Sequence, residues 1–211
     1  MPQVLVISPH PDDEALGCGG TLCRRVLEGD VVRVVFLTSG EHGGHGRPPE
    51  ETGPLREREA HVACRILGLQ HFEFWRVPDK GVRVTKALTE RLASVIRQRR
   101  ADVIYVPHDQ EMNADHRAAA RLVRNAVRMV QSDGASPTVL MYEVWTPLQG
   151  MDVIVDISEH IDKKLEAIRA YKCQCDVLRF DDAIAGLNRY RGEMHSWPGG
   201  PYAEIFLEMR V

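Results

Sequence analysis

Three short segments concentrate the side chains that could do chemistry. They are Ser8-Pro9-His10-Pro11-Asp12-Asp13-Glu14, Ser39-Gly40-Glu41-His42-Gly43-Gly44-His45 and His108-Asp109-Gln110-Glu111-Met112-Asn113-Ala114-Asp115-His116. In the first, an imidazole and a carboxylate three residues apart on a tight turn can face one cation. Asp115-His116 adds a second imidazole and carboxylate in the third. Two imidazoles and a carboxylate with open coordination positions form a catalytic donor set for zinc. Helix capping explains part of the pattern, because Asp is a good N-cap and acids suit a helix start. Three adjacent acids exceed what capping requires, and capping gives His10 no role.

These segments have to be brought to one place, and the hydrophobic pattern says how. Val4-Leu5-Val6-Ile7 and residues 31–38 read as buried strands, with further strands at 72–77, 103–107, 138–144, 152–156 and 203–209. Helices are expected over 13–28, 54–67, 85–99 and 115–131, with a last one capped by Ser158 and reaching Tyr171. Residues 39–53, rich in Gly, Pro and His, read as a long loop. Strands alternating with helices predict a single Rossmann-like α/β domain over residues 1–211, its mostly parallel sheet covered by helices on both faces. Such sheets take ligands beyond the carboxyl ends of their strands, where all three segments fall. A dinucleotide site is excluded, because the first strand–helix turn holds three carboxylates instead of a phosphate-cradling glycine pattern. Gly17, Gly19 and Gly20 come later, inside the helix, and are expected to permit close packing.

Composition narrows the partners. Lys and Arg number 27 against 30 Asp and Glu, a net charge of −3, which excludes a dedicated nucleic-acid binder. No apolar run approaches the roughly 20 residues of a membrane span. The first residues read as a strand with no signal peptide, so a cytoplasmic protein is expected. A homo-oligomer is among the states this composition allows. Five cysteines without a C-x-x-C pair give neither a disulfide framework nor a zinc knuckle. Cys18, Cys23 and Cys64 read as small buried hydrophobes, and Cys173-Gln174-Cys175 as a weak metal or redox signal.

Pro9-His10-Pro11-Asp12-Asp13-Glu14 after a first strand, with a later Asp115-His116-Arg117, resembles the PIG-L/LmbE-like family of zinc-dependent N-deacetylases. The resemblance runs on through Thr38-x-Gly40-Glu41, Arg56-x-x-Glu59, Leu67-Gly68, Pro78-Asp79-x-Gly81, Val155-Asp156-Ile157-Ser158, Lys164, Lys172, Gln174 and Tyr202-Ala203-Glu204-x-Phe206. It implies one zinc ion per chain on His10, Asp13 and His116, Asp12 as general base, and an N-acetylated amino-sugar conjugate as the small-molecule substrate. Two departures stand out. Many relatives carry His where this chain has Asn113, and Lys-x-Ser-Gln where it has Lys172-Cys173-Gln174.

The chemistry of amide hydrolysis assigns further roles. Asp12 accepts a proton from water and returns it to the departing amine. Asp115 is expected to orient a ligand imidazole by accepting its other N–H. Asn113 either donates to the developing oxyanion, in place of the imidazole, or merely turns its loop. Glu14 reads as a helix-start acid and His108 as a support for its loop. Arg56 either holds a sugar hydroxyl or pairs with Glu59. Glu41, with His42 and His45, contacts substrate or belongs to a solvated loop. His195, in the run His195-Ser196-Trp197-Pro198, reads as a mobile rim whose indole could stack on a sugar. Two other classes share these features. Iron(II) suits the same donors and would make an oxygenase, and a non-catalytic carbohydrate-binding relative would have no need of Asp12.

Overall fold

In β1 (Gln3–Ser8), Val4 and Val6 face one core while Leu5 and Ile7 face another, and none of the four is more than 2% exposed. A strand apolar on both faces needs cover on both. The computed structural model describes residues 1–132, 134–195 and 198–211. After β1 come α1 (Asp13–Leu27), β2 (Val31–Phe36), α2 (Pro49–Ile66), β3 (His71–Phe74), α3 (Lys86–Arg99), β4 (Val103–Pro107) and α4 (Ala114–Gln131). They continue with β5 (Thr138–Tyr142), β6 (Val153–Asp156), α5 (Ile161–Ala170), the single turn α6 (Lys172–Cys175), α7 (Phe180–His195) and β7 (Ala203–Glu208).

The seven-stranded sheet runs β3-β2-β1-β4-β5-β7-β6. Every pair is parallel except those made by β7, which runs antiparallel to β5 and β6. Helices α1, α2, α5 and α7 cover the face of Val4 and Val6, and α3 and α4 the face of Leu5 and Ile7. This is the expected α/β architecture, with β7 inserted between β5 and β6.

Local chemistry moves several boundaries. Helix α2 begins five residues before the expected Pro54. Pro49 fits its first turn, Glu50 and Glu51 complement its dipole, and Pro54 lies inside. Ser158 does not cap α5; it bonds Asp156 Oδ1 at 2.6 Å, and His160 takes the cap position. Helix α7 has no counterpart among the expected elements, because half of its buried stripe is polar. Ile184 is followed by Asn188, which donates to the Ala203 carbonyl, and by Arg191, which pairs with Glu143. Helix α1 is broken at Cys18 (φ −143°), where the N–H groups of Gly20 and Thr21 donate to Glu204, itself paired with buried Lys164 at 2.6 Å.

The glycines of α1 do allow close packing. A Cβ on Gly17 would overlap the Tyr142 ring, which is wholly buried with its hydroxyl on the Ile7 carbonyl at 3.1 Å. Gly17→Ala is expected to destabilise the fold by about 1–3 kcal/mol, the usual scale for overpacking. Urea denaturation checks this; an unchanged midpoint would show that the ring can step aside.

Candidate active site

The site forms at the carboxyl ends of β1 and β4, where the strand order reverses and an open α/β sheet leaves a crevice. Between β1 and α1 the chain turns at Asp12, whose φ of 126° is rare for a residue with a side chain. Its N–H donates to Glu14 Oε2 at 3.2 Å, and its carbonyl accepts from Leu16 N at 2.9 Å. Arg56 Nη2 donates to Asp12 Oδ2 at 2.7 Å and to the Pro11 carbonyl. The turn aims Asp13 back at His10, and helix α4 delivers His116 to the same point.

Three donor atoms converge there. His10 Nδ1 lies 3.1 Å from Asp13 Oδ2, His116 Nε2 lies 3.1 Å from the same oxygen, and the two nitrogens are 3.2 Å apart. Zinc bonds of about 2.0–2.2 Å at tetrahedral angles separate neighbouring donors by about 3.3–3.5 Å, so the triangle suits such an ion. The three residues are 8%, 1% and 0% exposed. Burial alone would push the Asp13 carboxyl up, but the imidazoles of His116 and His10 override it and hold Asp13 well below the usual carboxylate range.

Carboxylates also stand behind the imidazoles. His10 Nε2 lies 3.3 Å from Asp79 Oδ1 and 3.5 Å from Asp115 Oδ2. Against the opposing effect of burial, Asp115, Asp13 and Asp79 raise the His10 imidazole well above its ordinary value. Asp115 is itself anchored by the N–H groups of Lys80 (2.8 Å) and Val82 (3.2 Å). His116 Nδ1 is buried without a hydrogen-bond partner, and Glu111 Oε2 lies 3.7 Å away. Metal-binding imidazoles ordinarily have such an acceptor behind them.

Asp12 stands beside the triangle. Burial pushes its carboxyl up to about 6; Arg56 opposes the shift and the Asp13 charge adds to it. Glu14 does stand in the first turn of α1, as expected, but in the interior. It is wholly buried, accepts from the Tyr171 hydroxyl, and is raised by that burial to about 8.

A cleft of about 410 Å³ opens over these groups, lined by His10, Asp12, Asp13, Arg56, Asn113 and Asp115 among others. His42 and His45 line it too. Arg56 is buried and pairs with Asp12, while Glu59 accepts from the N–H and thiol of Cys173. Cys175 turns its thiol to the Ile168 carbonyl, so the two sulfurs serve different partners. Glu41 does not line this cleft; its carboxylate accepts from Asp79 N at 2.8 Å. His195 ends α7 and borders another cleft, with Pro147 and Tyr190. Ser196 and Trp197 lie outside the described residues. His108 Nε2 meets the Thr146 carbonyl at 2.7 Å.

Asn113 is the N-cap of α4 and also lines the cleft. Its Oδ1 caps α4 by accepting from Asp115 N at 2.8 Å, which leaves the amide NH₂ for the cleft it lines. If that NH₂ meets an oxyanion, Asn113→Ala lowers kcat by about 10²–10³-fold with metal retained. Its effect on the cap is separated by Asn113→Asp, which keeps the acceptor and removes the donor. Equal kcat in wild type and both variants would leave Asn113 a cap only. An uncharged donor also gives the alkaline limb of the pH–rate profile no histidine at this position, whereas Asn113→His would introduce one.

Asp79, Glu111, Gln174 and Trp145 complete the surroundings; the sequence placed the first three in motifs without giving them a role and left Trp145 unnamed. Asp79 and Trp145 each follow a strand, after β3 and β5, so the strand-end rule that found the other loops would have reached them. No sequence signal marks Glu111 as the acceptor of the Val144, Trp145 and Thr146 N–H groups.

Fold and site together define an α/β protein with a candidate metal centre at the sheet's switch point. The chain belongs to the PIG-L family, described as GlcNAc-PI de-N-acetylase, which matches residues 5–127. It is 29% identical to the diacetylchitobiose deacetylase of Thermococcus kodakarensis over 82% of this chain and 70% of that protein. A conserved protein of Thermus thermophilus superposes with a TM-score of 0.85 at 33% identity, covering 98% of this chain and 94% of the other. GalB, the 4-carboxy-2-hydroxymuconate hydratase of Pseudomonas putida, superposes with a TM-score of 0.88 at 26% identity, covering 100% and 98%. Among the described residues no helix is long and apolar enough to cross a membrane.

Proposed function

We propose that residues 1–211 act as one domain that hydrolyses the acetamide of an N-acetylated amino sugar, using a divalent metal, zinc in the first instance. The observation that carries this reading is the donor triangle of His10, Asp13 and His116, with Asp12, held by Arg56, beside it on the turn that carries His10 and Asp13. Deacetylases among the relatives support the amide as substrate. A cation held by the triangle supplies Lewis-acid activation of water and of the carbonyl. Asp12 takes the proton of the attacking water and delivers it to the amide nitrogen as the C–N bond breaks, so that acetate and a free amine leave. Arg56 fixes the Asp12 carboxylate in position, and Asp79 and Asp115 fix the His10 ring.

The likeness to a hydratase favours a second reading. One fold hosts several chemistries, and the same base and cation could add water across a carbon–carbon double bond. The deciding assay incubates zinc- or iron-loaded protein with N-acetylglucosamine and N,N′-diacetylchitobiose and measures primary amine and acetate. Equimolar release of both supports the deacetylase. No release, together with hydration of 4-carboxy-2-hydroxymuconate, would replace it with the hydratase. Elemental analysis of the protein as isolated settles zinc against iron.

A further inference from the structure

The cleft over the metal centre is lined by charged and polar side chains, glycine and one alanine, and among its described residues Trp145 is the one large apolar ring. An indole left 44% exposed in such surroundings is costly in water unless something apolar covers it. Its position is firmly built. The N–H groups of Val144, Trp145 and Thr146 converge on the buried Glu111 carboxylate at 2.7, 3.0 and 3.3 Å. Three donors on one carboxylate make the hydrogen bonds charge-assisted and the loop backbone rigid. At the loop's far end Leu148 N donates to Glu143 Oε2 at 2.7 Å, and Glu143 is locked by Arg191 at 2.8 Å. Phe180, at the start of α7, meets the indole edge-on at 5.5 Å and 76°. Glu111, the carboxylate that holds the platform, also faces the orphaned nitrogen of His116. One buried carboxylate therefore anchors the Trp145 backbone and lies beside a member of the metal triangle.

We propose that Trp145 is the residue that selects a saccharide substrate, its indole face seating a pyranose ring of the amide bound at the metal centre. This rests on the deacetylase reading above. A pyranose offers an apolar face of C–H groups to the indole and a rim of hydroxyls to the cleft's polar lining. Gln174 and His45 line the same cleft, His45 Nε2 lying 3.4 Å from Gln174 Oε1 and Gln174 Nε2 donating to the Gly43 carbonyl at 2.8 Å. An aliphatic amide lacks both the face and the hydroxyls, so it gains nothing from Trp145.

The test compares Trp145→Ala and Trp145→Phe with wild type on N-acetylglucosamine and on N-ethylacetamide, all zinc-loaded. The expected result is a KM for the sugar raised about 5–10-fold by alanine and less by phenylalanine, the scale of one aromatic contact. The KM for the aliphatic amide moves far less, and zinc content stays the same. A loop merely disturbed by the substitution would raise both constants together, and that outcome overturns the proposal. Binding is read separately by tryptophan fluorescence with glucosamine, which is not turned over. A saturable change in wild type that vanishes in Trp145→Phe supports the platform even if no amide is hydrolysed, which would sink only the deacetylase reading. A change that persists in Trp145→Phe overturns the platform even if deacetylation is confirmed.

Discussion

In the Asp12→Asn variant turnover falls by about 10²–10⁴-fold while bound metal stays at the wild-type level. Asparagine is nearly isosteric with aspartate, so it adds no bulk and little new strain to the turn at φ 126°. Its carbonyl oxygen still accepts from Arg56, which holds the original carboxylate at 2.7 Å. The capacity to take a proton is lost, together with the negative charge that Arg56 pairs with. In wild type the rate should rise with pH as Asp12 ionises. Burial places that step at about 6 without metal, and a cation beside the carboxylate moves it lower. The residual activity of the variant should lack this acidic limb. Elemental analysis with kcat against pH checks the prediction; metal lost in proportion to activity would make Asp12 a ligand.

His116→Ala should lose both metal and turnover. His116 comes from α4 and supplies the one donor of the triangle that lies outside the turn after β1. Without it His10 and Asp13 remain, too few to hold a zinc ion through dialysis against a chelator. Metal per chain should fall from one to near zero, and activity should return only with a large excess of added metal. The imidazole is wholly buried, so urea denaturation must accompany the measurement to exclude simple unfolding. A folded variant with full metal content would show that the ligand set is wrong.

The local half of this site was legible because it is written in consecutive residues. His10, Asp12 and Asp13 share one turn, Asn113, Asp115 and His116 share one helix start, and both follow apolar strands whose alternation is itself local. The order of the strands was not legible. β7 pairs with β5 and β6 through side chains and backbone groups far apart in the chain, and its reversal leaves no trace in its own apolar pattern. Helix α7 was hidden for a related reason, since Asn188 and Arg191 are buried by virtue of partners at Ala203 and Glu143.

By itself the sequence determined which side chains are present at the strand ends and that an α/β sheet would gather them, because periodicity and turn chemistry act over a few residues. Tertiary structure alone decided which group each side chain meets. It set Arg56 on Asp12 and left Glu59 to Cys173. It brought Tyr171 to Glu14 and turned an apparent helix-start acid into a buried carboxyl. It put Asp79 behind His10 and brought Trp145 to the lining of the cleft with its N–H on the Glu111 carboxylate. Charge, proton affinity and hydrogen bonding depend on neighbours in space and on the water they exclude, and those neighbours are chosen only when the chain closes around its core.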